Sequence, residues 1–310
     1  MKSIRQWFDN GEAGLSVAEL GNADTGIDWI RVIPFLFLHL ACLAVFFVGI
    51  SSIAVAVAVA LYSIRMFAIT AFYHRYFSHK SFKTSRTVQF IFAFIGATAT
   101  QRGPLWWAAH HRQHHRHADQ SADPHSPKQG FIWSHMGWFL SGKHYQADYS
   151  LVPDWKRFVE LRWLDRFDLI APVVLAASLF IAGVLLEKFA PGLGTNGWQM
   201  MVWGYFISTV VLLHATLLIN SMAHRIGKKR YITGDESRNN FALALLTLGE
   251  GWHNNHHHYP ASARQGFYWW EVDISYYLLK VMQKTGLIWD VRTVPLHKRE
   301  SKKVIAEAAV

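Results

Sequence analysis

The chain has 310 residues, of which 51% are hydrophobic and only 17% are charged, and its formal net charge is +10. This composition is atypical of a soluble enzyme and predicts an integral membrane protein. The excess of basic residues indicates membrane topology and attraction to anionic head groups, more than nucleic-acid binding. The single cysteine, Cys42, excludes an internal disulfide, a cysteine-ligated zinc site and an iron–sulfur cluster.

Hydrophobic runs divide the chain into predicted membrane spans. The first uncharged run, 32–64, has 33 residues, and as one helix it would be about 50 Å long, against a hydrocarbon core of about 30 Å. It must therefore fold back on itself, and we expect the turn near Gly49 and Ser51. The four predicted spans are 31–49, 53–73, 169–186 and 199–222. Shorter apolar runs at 88–100 and 241–249 predict interfacial or protein-buried helices.

Four spans place both termini on the same side of the membrane. Of the 31 Lys and Arg residues, 13 lie in 74–166 and 13 follow Met222, whereas 187–198 contains only Lys188. By the positive-inside rule, the termini and the large loop are cytoplasmic. The sequence thus predicts an all-α integral membrane protein, with four transmembrane helices and a cytoplasmic helical cap.

Sixteen of the 18 histidines lie at the cytoplasmic side, and the densest groups have helical spacing. The exceptions are His39 and His214, for which we favour hydrogen-bonding roles within the membrane. Residues at i, i+3 and i+4 share one helical face, so each such group can present three ring nitrogens to one volume. Two groups have this spacing: His111, His114 and His115, and His253, His256 and His257.

Two further groups lie where spans meet the cytoplasm. His74 and His79 are five residues apart, so we expect the second span's helix to end between them. Asn220 and His224 form an i, i+4 pair at the end of the fourth span. Convergence of all four groups would give nine imidazoles, too many for one ion, and two metals with four or five ligands each would account for them. An all-nitrogen dinuclear centre suggests iron used for oxygen chemistry.

The motifs HRYFSH (74–79), HRQHH (111–115), NSMAH (220–224) and EGWHNNHH (250–257) resemble the membrane fatty-acid desaturase superfamily, and within it the stearoyl-CoA (Δ9 acyl-CoA) desaturase branch of bacterial type. The resemblance predicts a desaturase domain at 31–295, between an N-terminal segment at 1–30 and a polar tail at 296–310. It also implies a multi-pass protein of a bacterial inner membrane, with its active site on the cytoplasmic side.

The resemblance further implies two iron ions and an O2-dependent reaction that places a cis double bond, usually between carbons 9 and 10, in a saturated acyl chain. The acyl chain would be carried on CoA or on a lipid, and the electrons would come from a separate ferredoxin, rubredoxin or cytochrome b5 type donor with its reductase. Asn220 would bind iron through a water. The implied iron ligands, which would act in catalysis through the metals, are His74, His79, His111, His114, His115, His224, His253, His256 and His257.

Candidate substrate and supporting residues surround these motifs. Tyr62, Met66 and Thr70 precede His74 at four-residue steps and are predicted to line an acyl channel. Tryptophans at the membrane interface are common, but three could also wall the channel: Trp106, Trp138 and Trp252. Three acidic residues are natural partners for the outer ring nitrogens, with helix capping an equal alternative for the last: Asp119, Asp123 and Glu250. Six cations could bind a phosphate-bearing head group, or simply reflect topology: Arg75, Lys80, Lys83, Arg102, Lys128 and Lys143.

Two other functions fit part of the pattern. A related di-iron hydroxylase of fatty acids or alkanes, or a ketolase, would begin with the same hydrogen abstraction but add oxygen to carbon. A histidine-rich metal transporter or sensor would need polar ligands near the middle of the membrane, where the spans carry no charge except Arg65. The motif forms HRxxxH, HRxHH and HNxHH favour a desaturase over the hydroxylase, so the desaturase is the favoured interpretation.

Overall fold

The computed structural model describes residues 7–11 and 26–304, so parts of the predicted terminal segments, 1–30 and 296–310, lie outside the described residues. The chain forms two compact units. The first unit contains Met1–Ile69, Phe90–Trp107 and Phe139–His214. The second unit contains Thr70–Gln89, Ala108–Trp138 and Ala215–Val310.

The described residues are mostly helical. In chain order the α-helices are Trp29–Ala41, Val45–Val48, Ser52–Phe67, Arg86–Ala97, Pro104–His117, Trp138–Leu140, Pro153–Lys156, Val159–Arg166, Ile170–Phe189, Gly197–Met201, Ser208–Ser221, Phe241–Leu246, His253–His258, Ile274–Lys284 and Leu296–Glu300. Wider π-helical turns occur at Ala68–Ser78, Trp133–Gly137 and Val202–Ile207. Two short strands, Lys83–Thr84 and Ile288–Trp289, pair antiparallel in the second unit.

Within the described residues, three helices are long and apolar enough to cross a membrane: Ser52–Ser78, Ile170–Phe189 and Gly197–Ser221. They coincide with the predicted spans 53–73, 169–186 and 199–222. The two shorter apolar runs also form helices, Arg86–Ala97 and Phe241–Leu246, as predicted.

The predicted span at 31–49 is shorter and less regular. Its apolar helical stretch, Val32–Val48, falls below the length of the other three candidates, and a 3₁₀ turn at Cys42–Ala44 interrupts it. The helix ends at Gly49, whose φ of 70° suits glycine. Ser51 then caps the next helix by accepting a hydrogen bond from the Ala54 N–H at 3.4 Å. The predicted turn is confirmed, whereas a fourth membrane span stays a prediction.

Polar side chains inside the apolar helices of the first unit have hydrogen-bond partners. The Arg65 guanidinium is buried and donates to Thr98 O at 3.2 Å and to Thr209 Oγ1 at 2.6 Å. The Nε2 atoms of His39 and His214 lie 2.9 Å apart, which confirms the hydrogen-bonding role predicted for both rings. Such pairing is what a polar group in an apolar surrounding requires.

The first turn of the helix Pro104–His117 is fixed by a carboxylate in the first unit. Asp165 Oδ1 accepts from the backbone N–H groups of Leu105 at 3.0 Å and Trp106 at 2.9 Å. A carboxylate satisfies the free N–H groups of a helix start and complements its positive dipole end. These hydrogen bonds anchor the start of the helix, which carries the histidine motif at 111–115.

Candidate metal centre

The second unit brings all nine predicted histidines together in two clusters. In each cluster, the ring nitrogens that could bind a metal lie within 4.8 Å of one another. The five-histidine cluster consists of His74, His79, His111, His115 and His256. The four-histidine cluster consists of His114, His224, His253 and His257. These sizes match the four or five ligands per metal that the sequence predicts.

Each histidine-rich helix contributes to both clusters. On Pro104–His117, His111 and His115 enter the five-histidine cluster, whereas His114 enters the four-histidine cluster. On the short helix His253–His258, the i, i+4 pair enters the four-histidine cluster and His256 enters the other. The rings of each group lie on one helical face, as predicted, but they belong to two clusters. This is possible because residues at i+3 and i+4 point in slightly different directions around a helix.

The pair His74 and His79 depends on a widened helix. The span beginning at Ser52 continues as a π-helix from Ala68 to Ser78, so the helix does end between the two histidines, as predicted. In a π-helix, backbone hydrogen bonds connect residues i and i+5, and π-helical turns are frequent at functional sites. It brings the two rings to a centroid distance of 5.0 Å.

The ring geometry fits metal ions. Metal–imidazole bonds of about 2.1 Å at right angles would place neighbouring nitrogens about 3.0 Å apart. Five neighbouring Nε2–Nε2 pairs within the clusters have such distances: 3.0 Å for His74–His256, 2.8 Å for His79–His111, 2.9 Å for His115–His256, 3.3 Å for His114–His257 and 3.0 Å for His224–His253. The rings thus aim the same nitrogen inward at the spacing that a shared ion requires.

Six of the nine clustered rings have a lowered pKa, which favours the neutral form that binds metals, whereas the pKa of His114 is raised because Asp123 outweighs the effect of burial. Burial lowers the pKa of His257 to about 4, despite its hydrogen bond to Asp235. Burial, followed by repulsion between neighbouring imidazoles, lowers the pKa of five other rings well below the ordinary histidine value: His79, His111, His115, His253 and His256. A neutral imidazole keeps the lone pair that coordinates a metal.

These pKa shifts predict an acid-sensitive metal-free protein. Between the ordinary histidine pKa of 6.5 and the value of about 4 for His257, the unfolded chain binds protons that the folded chain does not. Stability should therefore fall as the pH falls through this window, by up to ~1.4 kcal/mol per pH unit for each such ring. Thermal unfolding of chelator-treated protein should show a clear loss between pH 7.5 and 5.5. An unchanged melting temperature over that range would contradict the lowered pKa values of these buried histidines.

Four carboxylates contact the outer nitrogens of clustered rings. The Nδ1 contacts are His74 with Glu250, His114 with Asp123 at 3.0 Å, His224 with Asp119 at 3.1 Å and His257 with Asp235 at 2.8 Å. A carboxylate that accepts from Nδ1–H fixes the tautomer and turns Nε2 toward the metal position. Three of these four carboxylates are those proposed from the sequence. Glu250 does not cap the helix His253–His258, which begins without a side-chain cap.

Asp235 is the partner that sequence reasoning missed. It lies in the turn TGDES, which belongs to none of the histidine motifs. Its Oδ1 accepts from the Thr233 hydroxyl at 2.8 Å and from the Ser237 N–H at 2.9 Å, while Oδ2 faces His257. Burial alone would raise the Asp235 pKa, but the hydrogen bonds from His257 and Ser237 hold it below its ordinary value. The only available signal was an acidic residue in a turn, which is common on any surface.

A buried ionic network supports His74 from the other side. Arg75 Nη2 contacts Glu250 Oε1 at 3.1 Å, and Nη1 contacts Asp273 Oδ1 at 3.0 Å. Gln265 donates to Glu250 Oε2 at 3.0 Å. Arg75 is 1% exposed, so its inclusion among possible head-group ligands is wrong. The Arg75 guanidinium is buried, and a buried guanidinium needs carboxylate partners, which Glu250 and Asp273 provide.

Arg102 is a second candidate head-group cation with an internal partner. Its Nε lies 2.9 Å from Asp168 Oδ2, and its guanidinium stacks 3.9 Å from the centre of the Tyr145 ring. Both contacts are in the first unit. Such partners are sufficient to explain why Arg102 is present without a lipid head group.

The burial of the residues predicted to line an acyl channel is known, and the channel itself stays a prediction. On the helix Ser52–Ser78, Met66 and Thr70 are buried and Tyr62 is half-buried. Thr70 Oγ1 lies 2.6 Å from Ser275 Oγ. Asn220 is half-buried near the end of Ser208–Ser221, and its role as a ligand through water stays a prediction.

The three candidate channel tryptophans are buried and have specific neighbours. Trp106 Nε1 donates to Tyr145 O at 2.7 Å in the first unit, and Trp252 Nε1 donates to Val272 O at 2.8 Å in the second. Trp138 packs edge-on against His110 and His125. These contacts fix the indole orientations, and a role in substrate binding stays a prediction.

Comparison with known proteins identifies relatives of one kind. The family described as fatty acid desaturase matches residues 50–288. The acyl-CoA 5-desaturase AL21 of Anemone leveillei is 38% identical over 269 residues, covering 85% of this chain and 79% of the relative. The sn-1 stearoyl-lipid 9-desaturase of Anabaena variabilis is 36% identical over 272 residues, covering 86% and 94%. The delta-9 acyl-lipid desaturase 1 of Arabidopsis thaliana is 35% identical over 269 residues, covering 86% and 84%.

Proposed function

Because the chain belongs to the fatty acid desaturase family, we propose that it is an O2-dependent desaturase that introduces a cis Δ9 double bond into a saturated acyl chain. The observation that carries the proposal is the pair of histidine clusters with five and four inward-facing rings. Relatives named 9-desaturases from Anabaena variabilis and Arabidopsis thaliana support the bond position.

The nine clustered histidines would hold two iron ions, and Asn220 would act through a bound water. When bound, the two irons would supply O2 activation and accept electrons from a separate donor, the chemistry that removal of two hydrogens from an unactivated acyl chain needs. The protein's own contribution is orientation. Glu250, Asp119, Asp123 and Asp235 hold Nδ1 protons on their ring partners, so Nε2 remains free to bind.

The apolar helices and the distribution of charge support a proposal for the placement of the protein in the cell. We propose four membrane spans, with the histidine clusters and both termini on the cytoplasmic side of a bacterial inner membrane. A cytoplasmic site is accessible to a soluble ferredoxin or rubredoxin, or to a cytochrome b5 type donor. The acyl chain would reach it on CoA or on a membrane lipid, since one relative is named an acyl-CoA desaturase and another a stearoyl-lipid desaturase.

We also propose that Met66 and Tyr62 limit the length of the bound acyl chain. Met66→Ala should raise the relative rate on a substrate two carbons longer roughly tenfold, because added pocket volume accommodates extra methylenes. Chain-length profiles of the products would measure this. Ile64→Ala is the matched control, since Ile64 is 50% exposed on the same helix. Identical profiles for Met66→Ala and the wild type would contradict the channel assignment.

Product analysis tests the proposed reaction. The full chain is expressed in cells that lack their own desaturase, and lipids are profiled with location of any double bond. We expect new cis Δ9 monounsaturated chains that depend on O2. A hydroxy fatty acid without an alkene would instead establish the related hydroxylase activity, and the absence of any new product would overturn both. Supplying saturated acyl-CoA or acyl-lipid to isolated membranes would then identify the carrier.

A further inference from the structure

The outer carboxylates are distributed unequally between the two clusters. In the four-histidine cluster, three of the four rings contact a carboxylate: His114, His224 and His257. In the described part of the five-histidine cluster, His74 contacts Glu250. Burial and neighbouring imidazoles are the main influences on the other four rings, His79, His111, His115 and His256. The two proposed metal positions therefore have different electrostatic surroundings.

Neutral groups hold the three carboxylates of the four-histidine cluster. The backbone N–H groups of Asp119 and His125 donate to Asp123 at 2.9 and 3.1 Å. Asp119 in turn accepts from the Glu236 N–H at 2.6 Å. Asp235 accepts from the turn that surrounds it, at 2.8 Å from Thr233 and 2.9 Å from Ser237. These donors fix the carboxylates without cancelling their charge.

The carboxylate of the five-histidine cluster is partly neutralised. Glu250 Oε1 pairs with the buried Arg75 guanidinium at 3.1 Å, so its charge is shared between His74 and a cation. Burial and repulsion from other imidazoles are the main influences on the pKa of His79, and Arg112 adds a further positive charge there. Arg75 also pairs with Asp273, so these three groups together carry one net negative charge, compared with three carboxylates beside the four-histidine cluster.

We infer that the two iron positions differ in redox behaviour, and that the four-histidine position, surrounded by Asp119, Asp123 and Asp235, holds the ferric state more strongly. A nearby negative charge stabilises Fe³⁺ over Fe²⁺ by Coulomb's law, and a carboxylate bound to Nδ1–H makes the imidazole a more basic ligand. Both effects favour oxidation at the same position. The first electron from an external one-electron donor would then reduce the five-histidine position, Fe³⁺ + e⁻ → Fe²⁺, and the second would reduce the other.

The inference rests on the proposed two-iron function and has its own test. The full chain is loaded with ⁵⁷Fe and reduced stepwise with an electrode and mediators, while Mössbauer spectra report each iron's valence. In the half-reduced wild type we expect one ferric and one ferrous ion, each localised. Asp235→Asn should change the ferric-to-ferrous ratio of the more easily oxidised iron about tenfold. This corresponds to a rise of about 59 mV in its one-electron reduction potential. Glu250→Gln should act mainly on the other iron.

Controls separate electrostatics from misfolding. Asp290→Asn is the matched change, because Asp290 is exposed and pairs with Lys83 rather than with a clustered ring. It should leave both potentials unchanged. Asp119→Asn and Asp123→Asn provide independent replacements should one variant fail to fold, and each is compared only after it is shown to contain two irons.

The outcomes distinguish this inference from the proposed function. Two irons that titrate together in the wild type, or an Asp235→Asn shift confined to the less easily oxidised iron, would overturn the unequal positions while leaving desaturation intact. A chain that binds fewer than two irons would overturn the proposed two-iron centre itself.

Discussion

Replacement of His256 by alanine is expected to lower desaturation roughly a hundredfold or more, since even loss of a group that only supports a ligand costs 10–100-fold. His256 is 1% exposed in the five-histidine cluster, and its Nε2 lies 3.0 Å from that of His74 and 2.9 Å from that of His115. The variant would lose one of five inward-facing nitrogens. Double bonds formed per milligram of protein, by gas chromatography of the product acyl chains, measure the effect.

His258→Ala is the matched control for His256→Ala. His258 lies on the same short helix but stacks on Tyr231 at a centroid distance of 4.0 Å, and its Nε2 donates to Lys298 O at 2.7 Å. This variant should retain activity within a few-fold of the wild type. Equal losses in the two variants would show that the helix, and not a particular ring, is what matters.

Arg75→Met is expected to destabilise the protein by about 3–5 kcal/mol, the cost of removing one partner from a buried ion pair. The substitution would leave Glu250 and Asp273 buried without the guanidinium that contacts both, and it would leave Ala263 O without its donor at 2.7 Å. Thermal unfolding in a single detergent should report a large drop in the melting temperature. Arg75→Lys should be intermediate, because it restores the charge but not the fork.

Arg116→Met provides the comparison for Arg75→Met in the second unit. Arg116 is exposed near the end of the helix Pro104–His117, so its loss should change stability by less than about 0.5 kcal/mol. A melting temperature for Arg75→Met as high as that of Arg116→Met would disprove the role of the buried network.

The helices and the clustered histidines were predictable because their signals are periodic and local. Uncharged runs of sufficient length predicted the helices Ile170–Phe189 and Gly197–Ser221, and Gly49 with Ser51 marked the turn before Ser52. Histidines at i, i+3 and i+4 predicted which rings share a helical face. Positive-inside asymmetry predicts that the histidine motifs lie on one side of the membrane, and this stays a prediction.

The remaining features depend on interactions between distant segments. The π-helix at Ala68–Ser78 has no sequence signature of its own, although it sets the spacing of His74 and His79. Arg75 resembled a surface cation because Asp273 lies 198 residues away. Asp235 likewise meets His257 only in the folded chain, across a separation of 22 residues. Tertiary contacts, not local propensity, assign these roles.

Activity as a function of bound iron tests the central claim most directly. Purified protein is stripped with a chelator, reloaded with graded amounts of Fe²⁺ or with Zn²⁺, and assayed with a saturated acyl substrate, O2 and a reductase system. The two clusters predict that double-bond formation rises to a maximum at two irons per chain and that the zinc-loaded protein is inactive. Full activity in the stripped or zinc-loaded protein would contradict the two-iron desaturase.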